Sequence, residues 1–303
     1  MAKWRFTMNI VTGFSSKYYE GGCVAIKSLF ECNRDVTDLN LSIFVEGLND
    51  VQLDFINKIG GDYHRKVEIL DSSLIGVHLQ GKSIQLWYGS YLSYAKCFCS
   101  CLFPKYEKII FLDADILVNQ SLKGLWEADL HGKTIGAVRT PTVLFNAGVI
   151  VEDLNAWRKK GIDQIFSQKL GIEKTKAVEQ DIFNDTFKDD FEPLPTIYNF
   201  FPLYGIDGYR KYARISKSNI SKAEYQLMVS NPVIIHFNFY GKCVPFYEFD
   251  KLMGFKWSET YFQLFNKKAA LPHRNRFLAS ISGVLCHILP VKWHQKLRSL
   301  FIK

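Results

Sequence analysis

The first third of the chain alternates between short apolar runs and longer segments whose apolar residues recur at helical spacing. The apolar runs cover residues 5–12, 41–45 and 66–70, and the helical segments cover residues 21–31 and 51–59. Strands that alternate with helices predict a sheet of parallel strands joined by crossover helices. We therefore expect an α/β fold with helices on the faces of the sheet.

Residues 108–112, Lys-Ile-Ile-Phe-Leu, form an apolar run bounded by charge, and a predicted helix at residues 91–103 precedes it. A continuous apolar run of this length is typical of a strand buried on both faces of a sheet. Open α/β sheets bind ligands beyond the carboxyl ends of their strands. The residues that follow Leu112 are therefore a favourable place for a functional site.

Beyond residue 115 the predicted elements become shorter and less regular. They are strands at 135–139, 145–152 and 232–237, and helices at about 154–170 and from about 178. No internal repeat and no Pro/Gly/Ser-rich linker divides this part of the sequence. We therefore predict one domain over residues 1–259, followed by a tail over residues 260–303.

The composition excludes a disordered chain, because 48% of the 303 residues are hydrophobic and 15% are aromatic. The net charge of +8 resides in the tail: residues 260–303 carry eight Lys or Arg and no acidic residue, so the rest of the chain is electrically balanced. A protein that binds nucleic acid usually spreads its basic residues over the folded body. We therefore expect no nucleic-acid partner.

The seven Cys residues form an odd set without a Cys-x-x-Cys pair, which favours neither a disulfide framework nor a thiolate zinc site. We interpret them as small buried hydrophobic residues. The first six residues lack the apolar stretch and the cleavage site of a signal peptide. The expected location is therefore the cytoplasm.

Asp113 and Asp115 follow the run at 108–112 directly, in the sequence Phe-Leu-Asp-Ala-Asp. In an extended backbone, the side chains of residues i and i+2 lie on the same face, so the two carboxylates can point at one object. A divalent cation relieves their mutual repulsion and can bridge to phosphate oxygens. The alternative is a strand-ending turn with a helix cap, for which Asp is also favoured.

His236 ends a second apolar run, Pro-Val-Ile-Ile-His-Phe at residues 232–237. An imidazole added to two carboxylates shifts the metal preference from Mg²⁺ toward Mn²⁺, because it is a softer ligand than oxygen. Taken alone, a histidine such as His236 is more often a hydrogen-bonded core residue than a metal ligand. Lys242 lies six residues further on and can place an ammonium group beside a diphosphate, or it can be a solvated surface residue.

Two further segments combine polar residues with apolar surroundings. Asn146, Ala147 and Gly148 interrupt an apolar run, where Gly permits a close approach to a ligand and Asn can bind a sugar hydroxyl; a bulge or turn is the alternative. Glu179, Gln180 and Asp181 begin a predicted helix, where acidic residues ordinarily serve as capping groups.

In order and spacing, these segments resemble glycosyltransferase family 8, and most closely its lipopolysaccharide galactosyl- and glucosyltransferases. The segments that carry the resemblance are FLDADILV at 111–118, FNAGVIVEDLNAWRK at 145–159, EQDIFN at 179–184, YNF at 198–200 and IIHF at 234–237. The family consists of retaining nucleotide-sugar transferases. The resemblance implies a GT-A-type, single Rossmann-like domain with a mixed central sheet flanked by helices, followed here by a basic helical tail.

The resemblance also assigns roles to individual residues. Asp113, Asp115 and His236 would hold Mn²⁺, or Mg²⁺, against the diphosphate of UDP-galactose or UDP-glucose. Lys242 would contact the same diphosphate, and Tyr18 would stack on uracil. The acceptor would be a growing bacterial surface glycan or glycolipid such as lipopolysaccharide.

The resemblance also places residues around the transferred sugar. The lining of the sugar pocket would consist of Asn146, Ala147 and Gly148. Gln180 would lie beneath the anomeric carbon, with Glu179 and Asp181 beside it. Because an amide is a weak nucleophile, Gln180 favours front-face attack by the acceptor over a covalent glycosyl-enzyme intermediate. Both mechanisms stay open from sequence alone.

The sequence departs from the family pattern at three places. Ser15 replaces an Asp three residues before Tyr18, and Lys96 replaces an Arg, which keeps the charge near the donor but loses bidentate geometry. After His236, Lys242 keeps its spacing, whereas Gly241 and Pro245 do not. A catalytically weak, membrane-associated module that binds UDP-sugars is therefore the alternative function.

The tail contains an apolar stretch at residues 277–291 that is too short to span a bilayer. Trp293, Leu297, Leu300 and Phe301 follow at helical spacing, with basic residues elsewhere on the helix, which predicts an interfacial helix. Each basic residue near an anionic surface contributes about 1 kcal/mol. We therefore expect peripheral binding to the inner face of the bacterial cytoplasmic membrane; packing of this helix on the catalytic domain is the alternative.

Overall fold

The computed structural model describes residues 7–86, 89–140, 143–171, 179–216, 220–237 and 253–268. Its strands are β1 (Met8–Ser15), β2 (Leu39–Glu46), β3 (Val67–Asp71), β4 (Lys108–Leu112), β5 (Ile116–Val118), β6 (Ile135–Arg139), β7 (Phe145–Asp153), β8 (Phe191–Pro193) and β9 (Ile234–His236). The short 3₁₀ helices are Ser16–Tyr18, Leu92–Cys97 and Thr196–Asn199.

The α-helices lie between the strands, mostly where the apolar periodicity of the sequence predicts them. They are α1 (Tyr19–Cys32), α2 (Asp50–Asp62), α3 (Ser73–Leu79), α4 (Cys99–Leu102), α5 (Lys123–Trp126), α6 (Leu154–Lys160), α7 (Ile162–Lys169), α8 (Glu179–Thr186), α9 (Pro202–Ser216), α10 (Lys222–Ser230) and α11 (Met253–Phe265). None of these described helices has the length and apolarity needed to cross a bilayer.

The central sheet has seven strands in the order β3-β2-β1-β4-β7-β6-β8. The first four are parallel, as the alternation of strands and helices predicts, but β7 runs antiparallel to both β4 and β6. Since only five residues separate β6 from β7, their connection is too short for a parallel crossover. The expected α/β fold with a mixed sheet is confirmed, and the parallel part of the sheet consists of the strands for which the alternation predicts it.

Both faces of the sheet are covered. On β4, Ile110 and Leu112 pack toward α1 and α2, whereas Ile109 and Phe111 pack toward the 3₁₀ segment Leu92–Cys97 and helices α6, α7 and α8. This alternation explains why a strand with two buried faces reads as a continuous apolar run.

Two predicted helices are interrupted in the structure. The helix predicted at residues 91–103 consists of the 3₁₀ segment and the short α4, separated by Phe98 with φ of −129°. The helix predicted at 154–170 ends at Gly161, which has φ of +64°, and α7 begins immediately after it. Glycine adopts this left-handed conformation without steric cost, so it ends the first helix.

The prediction that the cysteines are buried holds for only part of the set. Cys23, Cys97 and Cys99 are buried, but Cys32 is partly exposed and Cys101 is exposed. Cys101 follows the break at Phe98 and therefore leaves the covered face of the sheet. The two other cysteines lie outside the described residues.

Helix α11 crosses the predicted domain boundary at residue 259. Its Tyr261 is 2% exposed and donates a hydrogen bond to Glu20 at 2.8 Å, while Phe265 stacks on Phe55 at 5.5 Å between ring centroids. Lys267 also contacts Glu20, at 2.7 Å. The folded body therefore extends beyond residue 259, and the rest of the predicted tail, from residue 269, lies outside the described residues.

Glu152 is the one charged side chain of β7 that faces the covered core. It is fully buried, and neither of its carboxylate oxygens has a hydrogen-bond partner in the described part of the chain. Burial therefore raises the pKa of Glu152 well above its usual value. A raised acid pKa means that the folded state binds a proton that the unfolded state releases, so stability falls as the pH rises above about 4.3.

We expect Glu152→Gln to remove this pH-dependent penalty. Relative to wild type, the free energy of unfolding of the variant should increase from pH 5 to pH 8, because only the wild-type group must be protonated or carry a buried charge. Urea unfolding at both pH values measures the difference.

Asp190→Asn is the matched control. The pKa of Asp190 is lowered because its hydrogen bonds with Lys160 and Thr134 outweigh its burial, so its contribution is already complete at pH 5. The decrease in the free energy of unfolding caused by Asp190→Asn should be equal at pH 5 and pH 8. A Glu152→Gln effect that is also independent of pH would contradict the assignment.

Candidate active site

Three side chains that offer metal ligands converge at the carboxyl end of β4. Asp113 follows the strand directly, Asp115 lies two residues further on, and His236 ends β9. The Nε2 atom of His236 lies 3.0 Å from Oδ1 of Asp115 and 4.0 Å from Oδ2 of Asp113. One ligand atom from each residue lies within 4.8 Å of the others. The structure therefore brings together residues that are more than 120 positions apart.

A small second sheet positions His236 beside the two aspartates. Strands β5 and β9 are antiparallel, with Ile116 opposite His236, and the amide of Phe237 donates to the carbonyl of Asp115 at 2.8 Å. The amide of His236 donates to the carbonyl of Phe200 at 2.9 Å. Backbone bonds on both sides thus fix the position of the imidazole beside the two carboxylates.

A chain of side-chain hydrogen bonds orients the imidazole of His236. Asn199, which is fully buried, donates its amide N–H to Oδ1 of Asn146 at 2.9 Å, so its own oxygen accepts from Nδ1 of His236 at 2.8 Å. The Nε2 atom then faces Asp115 at 3.0 Å and Asp113 at 4.0 Å. One nitrogen and two carboxylates turned toward one point form a donor set that fits a divalent metal.

Asn199 has no assigned role in the sequence analysis. The sequence feature that could have indicated a role for Asn199 is the motif Tyr-Asn-Phe at residues 198–200, in which one polar residue lies between two aromatic residues. The structure shows that Asn199 orients the imidazole, a function that depends on contacts with two distant segments.

Gly148 leaves no space for a side chain beside this cluster. A Cβ atom at this position would lie 2.3 Å from Cε1 of His236 and 2.7 Å from Oδ2 of Asp113. The carbonyl of Gly148 also accepts a hydrogen bond from the amide of Asp113 at 2.7 Å. Glycine is therefore required here by the close approach of two side chains of the cluster, whereas the sequence predicts the close approach of a ligand.

Lys96 lies beneath the cluster and is 1% exposed. Its ammonium group donates to Oδ1 of Asp113 at 2.9 Å, to the carbonyl of Ala147 at 3.0 Å and to Oε1 of Glu179 at 3.4 Å. Burial lowers the pKa of Lys96, but the two carboxylates outweigh burial and the net shift is upward. All three N–H groups are directed to protein atoms, and the structure places Lys96 under Asp113.

Gln180 is held against β7 through both ends of its amide. Its oxygen accepts from the backbone N–H of Ala147 at 2.8 Å and lies 3.5 Å from Nδ2 of Asn146, while its nitrogen donates to the carbonyl of Phe145 at 2.9 Å. The side chain of Asn184 donates a hydrogen bond to the same carbonyl at 3.0 Å. The predicted sugar-pocket residues thus form one connected unit.

The other predicted residues occupy different positions. Glu179 is buried, and burial raises its pKa in spite of Lys96. Asp181 is partly exposed in the first turn of α8. Tyr18 is partly buried at the end of the 3₁₀ turn that follows β1. Lys242 lies outside the described residues.

We expect Lys96→Met to destabilise the fold even without substrate, because it leaves the buried Glu179 and the partly exposed Asp113 without their shared cation. Removing one partner of a buried ion pair costs about 3 to 5 kcal/mol. The additional substitution Glu179→Gln should recover part of that loss, and urea unfolding of both variants measures it.

Lys108→Met serves as the control for this experiment. Lys108 is partly buried, but its ammonium group bonds to the backbone carbonyls of Trp126 and Ala128, at 2.6 and 3.2 Å, and to no carboxylate among the described residues. No second substitution of an acid should rescue this variant. Equal stability of Lys96→Met and wild type would contradict the compensating role of Lys96.

Comparison with known proteins agrees with this geometry. Residues 9–243 match the model of glycosyl transferase family 8. Glycosyltransferase GlyF of Streptococcus pneumoniae is 26% identical over 78% of this chain and 59% of GlyF, and GlyD of the same organism is 30% identical over 72% of this chain and 26% of GlyD. The chain therefore spans only part of the length of these relatives.

Solved structures show the same fold at low sequence identity. The galactosyltransferase LgtC, solved with donor and acceptor sugar analogues, superposes with a TM-score of 0.62 at 21% identity, covering 88% of this chain and 98% of LgtC. The bifunctional glycosyltransferase WbbM gives a TM-score of 0.68 at 17% identity, covering 87% of this chain and 52% of WbbM. The fold is of GT-A type, and the chain belongs to glycosyl transferase family 8.

Proposed function

We propose that the protein is a metal-dependent, retaining hexosyltransferase that transfers galactose or glucose from UDP to a bacterial surface glycan such as lipopolysaccharide. The observation that carries this proposal is the cluster of Asp113, Asp115 and His236, in which Nε2 faces both carboxylates and Gly148 packs against them. This cluster lies beside the amide of Gln180, where a sugar attached to a diphosphate would lie.

A divalent cation bound here would supply positive charge to the diphosphate as its bond to the sugar breaks. The imidazole favours Mn²⁺ over Mg²⁺. The protein's contribution is orientation: Asn199 fixes the imidazole, and Lys96 fixes Asp113. Because these groups are held by hydrogen bonds before any ligand binds, little reorganisation is needed during the reaction.

The environment of Gln180 supports front-face attack with retention. A nucleophilic oxygen needs a free lone pair, but the Gln180 oxygen accepts from Ala147 and faces Nδ2 of Asn146. Its amide N–H groups, of which one binds Phe145, are suited to positioning the sugar or the departing phosphate. We therefore assign Gln180 a positioning role and give the acceptor hydroxyl the attack on the anomeric carbon.

The charge around the sugar side favours a neutral hexose. Glu179, Asp181 and Asp113 place several carboxylates near the pocket, and the nearby cation, Lys96, is already bound to two of them. Some matched relatives from Arabidopsis thaliana are named as probable galacturonosyltransferases. A uronic acid would add another carboxylate here, which these acidic groups would repel.

The basic tail supports a peripheral position on the inner face of the cytoplasmic membrane. Tyr261 and Lys267 anchor the end of α11 to Glu20, in the first turn of α1. Since α1 begins where β1 ends, the tail starts near the sheet edge that carries the site. A lipid-linked acceptor in that membrane would then be close to the active site.

The alternative is a membrane-associated module that binds a UDP-sugar with little turnover. Ser15 and the fully engaged Lys96 motivate it, because both positions depart from the family pattern. Binding of UDP with Mn²⁺, measured by calorimetry, without release of UDP from any sugar nucleotide would favour this module.

We expect Asp113→Asn and His236→Ala to abolish Mn²⁺ binding and Mn²⁺-dependent release of UDP, because each removes one ligand of a three-residue site. Wild-type enzyme should release UDP from UDP-galactose or UDP-glucose at least tenfold faster than from UDP-galacturonic acid. Calorimetry with Mn²⁺ and a UDP-release assay provide the two measurements. Full activity in both variants would overturn the metal site.

Two glycine variants control for nonspecific damage. Gly148→Ala should abolish binding, because its Cβ would overlap His236 and Asp113, whereas Gly61→Ala has open space around the added Cβ and should behave as wild type.

We expect the tail to bind anionic vesicles in a salt-dependent manner. Replacing Lys292, Lys296 and Arg298 by Gln should reduce cosedimentation with phosphatidylglycerol vesicles at least tenfold at low salt, because attraction to the anionic surface is lost. UDP release in solution should not change. Binding that is equal in both proteins would instead favour packing of the tail on the catalytic domain.

A further inference from the structure

Helix α2 exposes large apolar side chains beside the end of α11. Val51 is 78% exposed, and Phe55, one turn further along α2, is partly buried. The ring of Phe55 stacks on Phe265, and Phe262, one turn earlier on α11, is 50% exposed. Single exposed apolar residues are common, but several that lie together indicate a surface that another segment or molecule covers.

Acidic residues accompany the apolar ones on α2. Asp50 precedes Val51 and Asp54 precedes Phe55, so an acid and an apolar residue recur side by side one turn apart. Both carboxylates are exposed, and neither forms an ion pair with a described residue. We call these four residues the α2 patch. Since Lys58 is the one base of a helix with three acids, the charge of this surface disfavours an anionic membrane and favours a basic partner with apolar residues.

The chain leaves the described body beside the α2 patch. Helix α11 ends at Phe265, and Asn266 adopts a left-handed conformation with φ of +48°. Lys267 then binds Glu20 of α1 at 2.7 Å, so the first base of the tail already pairs with an acid of the folded body. Residues 269–303 therefore continue from a point next to Phe55.

The segment that follows has a composition complementary to the patch. Arg274 and Arg276 directly precede the apolar stretch at 277–291, and no acid occurs after residue 259. Six residues lead from Lys268 to Arg274, and an extended chain spans about 3.5 Å per residue, so this linker reaches roughly 20 Å. The α2 patch is only about 8 Å long, because a helix rises 1.5 Å per residue. Both arginines can therefore reach its aspartates.

We propose that residues 274–291 dock on the α2 patch of the same molecule. The two arginines pair with the two aspartates of the patch, and the apolar stretch covers its apolar residues. Because the linker is short, the effective concentration of the segment at its own patch is high, which favours this contact over one with a second copy. The docked segment leaves residues 292–303 for the membrane contact proposed above. This docking does not depend on the proposed activity.

Hydrogen exchange of the full-length protein without vesicles, followed by mass spectrometry, tests the docking. The amides of residues 277–291 should exchange at least tenfold more slowly than those of a free peptide of the same sequence. Asp50→Lys with Asp54→Lys should remove most of this protection. Adding Arg274→Glu and Arg276→Glu to that variant should restore it, because opposite charges then face each other again. Melting temperatures check that each variant folds.

Glu127→Lys with Asp189→Lys is the matched control. It makes the same change in net charge at two exposed acids that have no ion pair in the described part of the chain, so its protection should equal that of wild type.

Three results would overturn the inference. The first is protection that persists in the variant with lysines on α2, or residues 277–291 that exchange as fast as the free peptide. The second is protection that appears only with phosphatidylglycerol vesicles, since the membrane would then be the occupant. The third is protection that rises with protein concentration, which would identify a second copy. Each result leaves the test of UDP release unaffected.

Discussion

The site depends on one buried cation that holds two acidic side chains in place. The ammonium group of Lys96 lies under Asp113 and Glu179 and is shielded from solvent, so each of its bonds is stronger than it would be in water. Without this charge, two partly or fully buried carboxylates would face each other across a few ångströms. Lys96 therefore allows Asp113 and Glu179, which come from different segments, to lie close together.

Strand β7 is the element that connects the parts of the site. Because it runs antiparallel to β4, its first residues reach the carboxyl end of β4, where Gly148 packs on the metal cluster and Phe145 and Ala147 hold Gln180. Asn146 joins β7 to His236 through Asn199. A continuous network of hydrogen bonds thus links the groups assigned to metal, imidazole and sugar, which keeps them in fixed relative positions.

The order of the strands sets the arrangement along this edge of the sheet. Gln180 and the first residues of β7 lie on one side of β4, the three candidate metal ligands lie at its carboxyl end, and β1 and β2 lie on its other side. Helix α11 is anchored on Glu20, in the first turn of the helix that follows β1.

The sequence alone determined the apolar strands, the α/β class and the residue types at the site, because periodicity and burial are local properties. β4 and β6 lie at the residues that their apolar runs predict, and Asp113, Asp115 and His236 stand out as ligands by chemistry and by the family resemblance. Local patterns did not reveal the breaks at Phe98 and Gly161, where backbone geometry within an apolar segment ends a helix. Only the tertiary structure decided the orientation of the His236 imidazole by Asn199, the position of Lys96 under Asp113 and the close approach of Gly148 to the cluster. Each of these depends on contacts between segments far apart in the chain, and no local periodicity encodes which side chains will meet across a sheet.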